Sequence, residues 1–384
     1  MAGTYDAIVV GLGAIGSSVT YQLAKAGASV LGLDRHEPPH ALGSTHGRTR
    51  ITRLALGEGG RYVPFVRRSH ALWREIEREA GESLMIRTGG LVLAVEGASG
   101  THGAEDFLGT TIAAAREHGI EHELLAPEDV AARYPALALT GRERPAYFEP
   151  ETGFVRPERA VAAQLRLAER HGAAIRTGER ALSVSGGRVA TDRGEYAAAT
   201  VIAAAGPWVG ELLPAHRERF TVYRQVQYWF DLAGDEAYER HRELPIFIWE
   251  LGGGPDDFVY GFPAIDGPDG GVKVATEQHT TPTTADACAR EVSPDEIRAM
   301  HEQYVAPRLP GLTARCLRAT TCLYTVTADR GFVLGPDPSD ERLLIASPCS
   351  GHGFKHSPAI GEAIAQLIAA GRSDLDVSAF ALAP

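Results

Sequence analysis

The sequence predicts an α/β protein, α+β overall, in which a Rossmann-like nucleotide-binding domain is joined to a mainly antiparallel β domain. The first indication is a strand–turn–helix–strand pattern with a glycine fingerprint at residues 5–35. The second is the return of helix and strand patterns at 156–206 and near the C-terminus. The third is a stretch rich in aromatic strand residues from about 220 to 285. This alternation predicts a nucleotide-binding domain built from separate segments.

The N-terminal segment reads as strand, tight turn, helix and strand. Residues 7–10 form an apolar run that suits a central parallel strand. Helical spacing follows, with Ile15, Val19 and Leu23 along one face. Gly27 is placed to end this helix. The order of elements is therefore that of a nucleotide-binding βαβ unit.

The turn of this unit carries the fingerprint G-x-G-x-x-G. Gly11, Gly13 and Gly16 permit the turn, close approach to a pyrophosphate, and tight helix–sheet packing. Asp34 ends the second strand 18 residues after the last glycine, where its carboxylate can hold a ribose hydroxyl. An acidic residue here favours an unphosphorylated ribose, and thus FAD or NAD before NADP. The fingerprint alone does not choose between these two.

The remaining elements follow from local pattern. An irregular Gly/Pro-rich loop covers 36–50. The predicted helices and strands after it are helix 69–81, strand 91–95, helices 105–119, 126–137 and 156–172, strands 173–178 and 199–206, the β-rich part at 220–285, and a strand–loop–helix at 342–371.

The last helix is well delimited and points to a flavin. Ser357 can cap it, Pro358 suits its first position, and Gly371 ends it. Its positive end, with Lys355 beside it, suits an electron-rich ring that becomes anionic on reduction. A flavin can become an anion, whereas nicotinamide becomes neutral when it accepts hydride. This favours FAD over NAD.

Composition and the cysteines limit the setting. The chain has 384 residues, 44% of them hydrophobic, and a formal net charge of −11. The acidic balance argues against nucleic acid or an anionic membrane surface as the main partner. The cysteines at 288, 316, 322 and 349 form no CxxC pair and no dense disulfide framework. No basic leader, membrane-length apolar run or metal site is predicted, so a reducing cytoplasm is expected.

Cys322 is followed by aromatic and β-branched residues, as at the start of a strand. A buried free cysteine is usually a small hydrophobic residue. Another role for Cys322 needs support from the rest of the chain.

Six stretches provide that support: "GLGAIGSSVTYQLAKAG", "PPHALGSTHGRTRITRLALGEGGRYVP", "YRQVQYW", "YGFP", "CLYTVTADRGFVLG" and "SPCSGHGFKHS". Together they resemble the monomeric sarcosine oxidase and N-methyltryptophan oxidase family, within the D-amino-acid-oxidase-like flavoproteins. The resemblance runs nearly from end to end. The second stretch and the last two are far more specific than the glycine fingerprint.

The resemblance implies covalent FAD. The cysteine of the C-x-Y-T stretch, here Cys322, would bear the flavin through a thioether to its 8α carbon, and the other three cysteines would be structural. The implied cofactor contacts are Gly11, Gly13, Gly16, Asp34, Arg35, Ser44, Cys322, Gly351, Gly353 and Lys355.

The resemblance also implies a cationic substrate site. His46 and Arg50 would lie close to the flavin ring, while Arg53 and Lys355 would bind the substrate carboxylate. A guanidinium fork suits a carboxylate, and a lysine supplies a point charge.

A second cluster follows the β-rich part. By resemblance Lys273 would activate oxygen, because a fixed cation stabilises superoxide. Tyr260, His279 and Tyr324 would line the substrate pocket. The Tyr-to-Lys and Lys-to-His intervals are about two residues longer than in the family pattern, so the position of His279 is open.

The predicted FAD-binding domain comprises 1–85, 151–220 and 318–384, and the substrate domain 86–150 and 221–317. The implied activity is oxidation of a secondary amino acid by FAD, with hydrolysis of the imine and reduction of O2 to hydrogen peroxide, in a monomer. Alternatives are a dehydrogenase that uses another acceptor and a flavin-binding protein without turnover. Sarcosine, N-methyltryptophan, pipecolate and other N-alkyl amino acids share the carboxylate and amine that the cations would bind.

Overall fold

The computed structural model of the chain describes residues 4–382. The first three residues, which belong to the segment predicted to lack a leader, and the last two of the predicted FAD-binding segments lie outside this range. The described strands are β1 (Thr4–Val10), β2 (Val30–Leu33), β3 (Arg50–Thr52), β4 (Met85–Arg87), β5 (Gly90–Ala94), β6 (Glu123–Leu125), β7 (Ala146–Glu149), β8 (Gly153–Val155), β9 (Ala174–Arg176), β10 (Ala181–Ser185), β11 (Arg188–Thr191), β12 (Glu195–Ala203), β13 (Thr221–Leu232), β14 (Ile246–Glu250), β15 (Phe258–Gly261), β16 (Val272–Ala275), β17 (Pro282–Thr283), β18 (Leu312–Val326), β19 (Val333–Asp337) and β20 (Asp340–Ser347).

The α-helices of the described chain are α1 (Ala14–Lys25), α2 (Val63–Ala80), α3 (Phe107–Glu117), α4 (Pro127–Arg133), α5 (Pro157–Arg170), α6 (Val209–Leu212), α7 (Asp235–Arg242), α8 (Pro294–Met300) and α9 (Ser357–Ala370). No helix among residues 4–382 combines the length and apolar character that a membrane span requires.

The mainly parallel sheet carries the glycine turn. Its strands lie in the order β10-β11-β12-β1-β2-β9, with β20 beside the end of β12 and β19 beside β20. Ile8 of β1 pairs in parallel with Val201 and Leu31, and all three side chains are fully buried. Helix α1 packs against α5 and α9, where Gly361 lies directly on Ser18. The β1–α1 turn therefore opens at the carboxyl edge of the sheet, where nucleotides bind.

The nine-stranded sheet is mainly antiparallel. Its order is β17-β13-β16-β15-β14-β5-β7-β6, and β18 pairs with the other edge of β13. Cys322 of β18 faces Gln225 of β13, and Lys273 of β16 faces Trp229. Residues 225 and 229 are an even number apart, so these side chains lie on the same face of the sheet. The strand β13 thus brings together two residues that are distant in the chain. The sheet order confirms the predicted fold class.

Some elements differ from the sequence prediction. Helix α2 begins at Val63 rather than at 69, because Pro64 is tolerated in a first turn and Phe65 is buried. Helix α7 interrupts the β-rich part. Cys322 lies late within β18 and not at the start of a strand. Ser357 is the first residue of α9 and makes no capping hydrogen bond, whereas Gly371 ends the helix in the left-handed region as predicted, with φ of 70°.

One of the predicted domain limits does not coincide with the end of a strand. The limit at 317–318 falls inside β18, which pairs along its length with β13. Arg50 is the first residue of β3, which belongs to a third sheet with three strands in the order β3-β8-β4. The division into two domains stays a prediction.

Candidate active site

A cavity of about 300 Å³ extends from the β1–α1 turn to the nine-stranded sheet. One end is lined by the glycine turn, Asp34 and the loop that follows β2. The other end is lined by residues of β14, β15 and β16, by Tyr324 of β18, and by the loop at 346–355. Residues predicted for cofactor and substrate thus border one continuous space.

Two of the three glycines of the turn leave no room for a side chain. Gly11 has φ of 92°, and a Cβ there would lie 2.5 Å from the carbonyl oxygen of Ala204. A Cβ on Gly16 would lie 1.7 Å from the carbonyl oxygen of Gly11, so this residue serves the close packing of α1 on β1. Gly13 stands before the first turn of α1, where backbone N–H groups favour a phosphate.

Asp34 joins the turn to the second strand. Its Oδ2 accepts a hydrogen bond from the backbone N–H of Leu12 at 2.8 Å, and its Oδ1 accepts one from His36 at 2.8 Å. The carboxylate lines the cavity. Arg35 also lines it and donates to Asp286 at 3.3 Å. The cradle and this acidic residue fit the pyrophosphate and ribose of a dinucleotide such as FAD.

Cys322 lies behind the cavity in contact with Arg50. Its side chain is fully buried, and its Sγ is 3.3 Å from Nη2 of Arg50. The same Nη2 donates to the carbonyl oxygen of Ser44 at 2.6 Å, which fixes the guanidinium. A neighbouring guanidinium stabilises a thiolate. Arg50 is thus a cationic group in direct contact with the sulfur of Cys322.

The other cysteines have different surroundings. Cys349 lines the cavity, but burial raises the pKa of its thiol. Cys288 packs in an apolar cluster with Leu323, and burial raises its pKa as well. Cys316 lies on β18, where its Sγ is 3.0 Å from the carbonyl oxygen of Arg318. All four cysteines are free.

The two cations predicted to bind a carboxylate meet at one glutamate. Nη2 of Arg53 donates to both oxygens of Glu58 at 2.9 and 2.8 Å, and Nζ of Lys355 is 3.3 Å from Oε1 of Glu58. Burial would raise the pKa of Glu58, but Arg53 and Lys355 hold it well below its usual value. Burial lowers the pKa of Lys355 to about 8. Two buried cations thus share one anion, which leaves one positive charge for a ligand.

Lys273 is enclosed by oxygens and aromatic rings. Its Nζ donates to the carbonyl oxygens of Gly47 and Thr49 at 2.8 and 3.0 Å, and to Oγ1 of Thr49 at 3.2 Å. It lies 4.9 Å from the ring centroid of Phe262. Three acceptors match the three N–H groups of an ammonium. Burial, together with the charge of Arg50, lowers the pKa of Lys273 well below its usual value.

Tyr260 and Tyr324 line the cavity as predicted for pocket residues, and burial raises the pKa of both. His46 and His279 are not among the described lining residues. His46 is buried, neither of its ring nitrogens has a hydrogen-bond partner among residues 4–382, and burial lowers its pKa to about 3. Nδ1 of His279 is 3.1 Å from Asp256, one layer behind the wall.

The polar lining residues that the sequence analysis did not identify include Glu58, His102, Glu277 and His352. Glu58 and His352 lie inside stretches that carried the resemblance, so proximity to Arg53 and Lys355 was the available signal. Glu277 stands four residues after Lys273, at the shorter Lys-to-His interval of the family pattern. His102 gave no signal in the sequence, because it lies in the loop between β5 and α3 and only the fold places this loop at the cavity.

Comparison with known proteins agrees with this geometry. A sequence profile of the family described as FAD dependent oxidoreductase matches residues 6–367. The chain is 36% identical to monomeric sarcosine oxidase of Streptomyces avermitilis, covering 99% of this chain and 97% of that protein. It is 33% identical to N-methyl-L-tryptophan oxidase of Yersinia pestis, covering 99% of each.

Solved structures show the same architecture. The open form of NikD, described as an unusual amino acid oxidase essential for nikkomycin biosynthesis, superposes with a TM-score of 0.84 at 25% identity. The match covers 98% of this chain and 97% of that chain. These relatives are thus similar to this chain over nearly its whole length.

Proposed function

The chain belongs to the FAD dependent oxidoreductase family, and from that premise we propose that it oxidises secondary amino acids, sarcosine or related N-alkyl amino acids, with O2 as the acceptor. The observation that carries this proposal is the pair of buried cations, Arg53 and Lys355, in a cavity that continues to the glycine turn. The relatives named as sarcosine and N-methyl-L-tryptophan oxidases support the substrate class.

When bound, FAD supplies the acceptor for a hydride equivalent from the amine carbon and returns the electrons to O2 as hydrogen peroxide. Arg53 and Lys355 hold the substrate carboxylate in competition with Glu58 and so fix the orientation of the amine. The buried side chains of Phe258 and Phe262 restrict water in the cavity. Arg50 and Lys273 would supply positive charge that stabilises the anions of the reaction, the reduced flavin and superoxide.

The cofactor contacts proposed from the sequence remain Gly11, Gly13, Gly16, Asp34, Arg35, Ser44, Gly351, Gly353 and Lys355, with a thioether from Cys322. His46 and Arg50 are assigned to the ring, Tyr260 and Tyr324 to the pocket wall, and His279 to the residues behind that wall. We also propose a monomer that works in the cytoplasm. The name of the sarcosine oxidase relatives and the four free cysteines support these assignments.

A screen of N-alkyl amino acids tests the function. Under nitrogen, at least one of sarcosine, N-methyltryptophan and pipecolate should bleach the flavin of the holoenzyme. In air, one hydrogen peroxide should form per imine. No bleaching by any secondary amino acid would contradict the proposal, and bleaching without peroxide would favour the dehydrogenase alternative.

Replacement of either cation should weaken carboxylate binding. Arg53→Met and Lys355→Met each remove a charge-assisted hydrogen bond, so binding of methoxyacetate, the ether analogue of sarcosine, should weaken by about 1.5–3 kcal/mol. Flavin absorbance titration measures the affinity. Arg144→Met is the control, because Arg144 donates to both oxygens of Asp106 at 2.8 and 3.2 Å outside the cavity lining. Unchanged affinity in both cavity variants would refute the assignment.

A further inference from the structure

Glu277 presents a buried carboxyl group to the cavity. It follows β16 and its side chain is 4% exposed. Its Oε2 has no hydrogen-bond partner among residues 4–382. Nδ1 of His102 lies 3.6 Å from this oxygen and Nε2 of His279 lies 3.9 Å from it, and the carboxyl group also faces the hydroxyl of Tyr324. A buried carboxyl oxygen without a partner is costly, which indicates that a ligand supplies the missing donor.

The nearby cations also contact other acids. Arg330 donates to both oxygens of Asp256 at 2.6 Å, and Lys355 binds Glu58. Burial lowers the pKa of His102 to about 4, so this ring is neutral at pH 7. The charged and titratable groups that face Glu277 are His102, His279, Asp256, Arg330, Tyr260, Tyr324, Glu58 and Lys355.

Glu277 also lies close to the loop that carries Lys355. A Cβ on Gly351 of that loop would be 3.4 Å from Oε2 of Glu277. The carboxyl group and the cationic site for a carboxylate therefore face the same part of the cavity. An amino acid carries its ammonium next to its carboxylate, so its two charges match the two poles of this site.

We propose that Glu277 binds the amine nitrogen of the substrate and accepts its proton, so that the enzyme takes up its amino acid as the zwitterion. This inference rests on the proposed function. It assigns a proton acceptor to a reaction that the sequence alone left without one.

The step balances as a simple proton transfer. An N–H bond of the substrate ammonium breaks, an O–H bond forms on Glu277, and the electron pair stays on nitrogen. That pair can then form the C=N bond as a hydride leaves the adjacent carbon for the oxidised flavin. The resulting iminium is hydrolysed by water. With the proton still on nitrogen, no pair is available for the C=N bond.

The burial of Glu277 makes this transfer feasible. Burial raises the pKa of Glu277 to about 8. An alkyl ammonium such as that of lysine has a pKa of about 10.4, whereas an exposed glutamate has one of about 4.3. Transfer of the proton from the ammonium to Glu277 is therefore unfavourable by only about two pH units, against about six for transfer to an exposed carboxylate. The raised pKa of Glu277 thus lies close enough to the pKa of the ammonium for the proton to be transferred.

The limiting rate of flavin reduction tests the proposal. The holoenzyme is mixed anaerobically with the most active amino acid of the screen from about pH 6 to about pH 10. The wild-type rate should rise up to about pH 8 and then level off before the amine itself titrates. In Glu277→Gln this plateau should be absent, and the rate should climb steadily towards the pKa of the substrate amine.

A proton count provides a readout apart from turnover. Enzyme whose flavin has been reduced beforehand is titrated with the same amino acid by calorimetry in two buffers of different ionisation enthalpy. At pH 7 the wild type should release up to one proton, because Glu277 ionises against the ammonium. Glu277→Gln should release none.

Glu250→Gln is the matched control. Glu250 of β14 is 1% exposed, and burial raises its pKa too, but it is not among the lining residues of the cavity. This variant should keep the wild-type profile and proton release. A wild-type profile in Glu277→Gln, or no proton release by the wild type, would overturn the role of Glu277 while leaving the oxidase intact. Absence of flavin reduction by any secondary amino acid would instead refute the proposed function, and this inference with it.

Discussion

Cys322→Ser protein should carry no covalently bound flavin, and all of its yellow colour should pass to the supernatant on acid precipitation. The wild-type precipitate should stay yellow. The reason is that a thioether to the 8α carbon requires a nucleophilic sulfur, and Nη2 of Arg50 lies 3.3 Å from the Sγ of Cys322. A hydroxyl at this position would stay protonated and could not replace the thiolate.

The masses of the tryptic peptides show which cysteine carries the flavin. Trypsin should release residues 319–330 with Cys322 and residues 343–355 with Cys349 as separate peptides. The flavin mass should be on the first. Cys349→Ser is the matched control, because Cys349 lines the cavity but burial raises the pKa of its thiol. Flavin on the second peptide, or complete release from wild type, would refute the tether.

Lys273→Met should slow reoxidation of the reduced flavin by roughly 10²-fold or more, at the scale of losing one electrostatic stabiliser. Oxygen is uncharged before electron transfer, so the lysine contributes little to its binding and acts on the rate. Burial lowers the pKa of Lys273, so its charge is present at low pH and lost as the pH rises. Reoxidation by the wild type should therefore slow as the pH rises, and this change should be absent in the variant.

Stopped-flow measurement of both half-reactions separates the two cavity lysines. Lys273→Met should leave anaerobic reduction by substrate much less affected than reoxidation. Lys355→Met is the control, because it removes the other lysine of the cavity and should mainly weaken substrate binding. If Lys273→Met reoxidises at the wild-type rate, oxygen is activated elsewhere, and Lys355 would be the next residue to test.

Local signals were sufficient for the nucleotide half of the fold. In the fingerprint Gly11, Gly13 and Gly16, the last glycine packs on the first within one βαβ unit, so the spacing is visible in the chain. Gly371 likewise ends α9 through its own backbone conformation. Ser357 failed as a cap because the chain enters α9 through a short 3-10 turn, whose preceding contacts no local pattern encodes.

Part of the chemistry of the cavity could be predicted from the sequence. The resemblance pointed to Arg53, Lys355 and Lys273 by residue, and all three line the cavity. Their roles stay proposals. Their acidic partners could not be predicted, because the contact between Glu58 and Lys355 joins residues 297 positions apart in the chain. Such a contact depends on the approach of two loops.

The sequence by itself determined the FAD-dependent family and the Rossmann-like half, because these rest on short-range geometry and specific motifs. Only the tertiary structure decided that Glu277 faces the cavity while His279 lies behind it against Asp256. Both residues are an even number of positions after Lys273, so strand alternation allows either one on the cavity side. The backbone after β16 and the packing of the neighbouring loops select between them, and these are long-range contacts that a residue pattern does not contain.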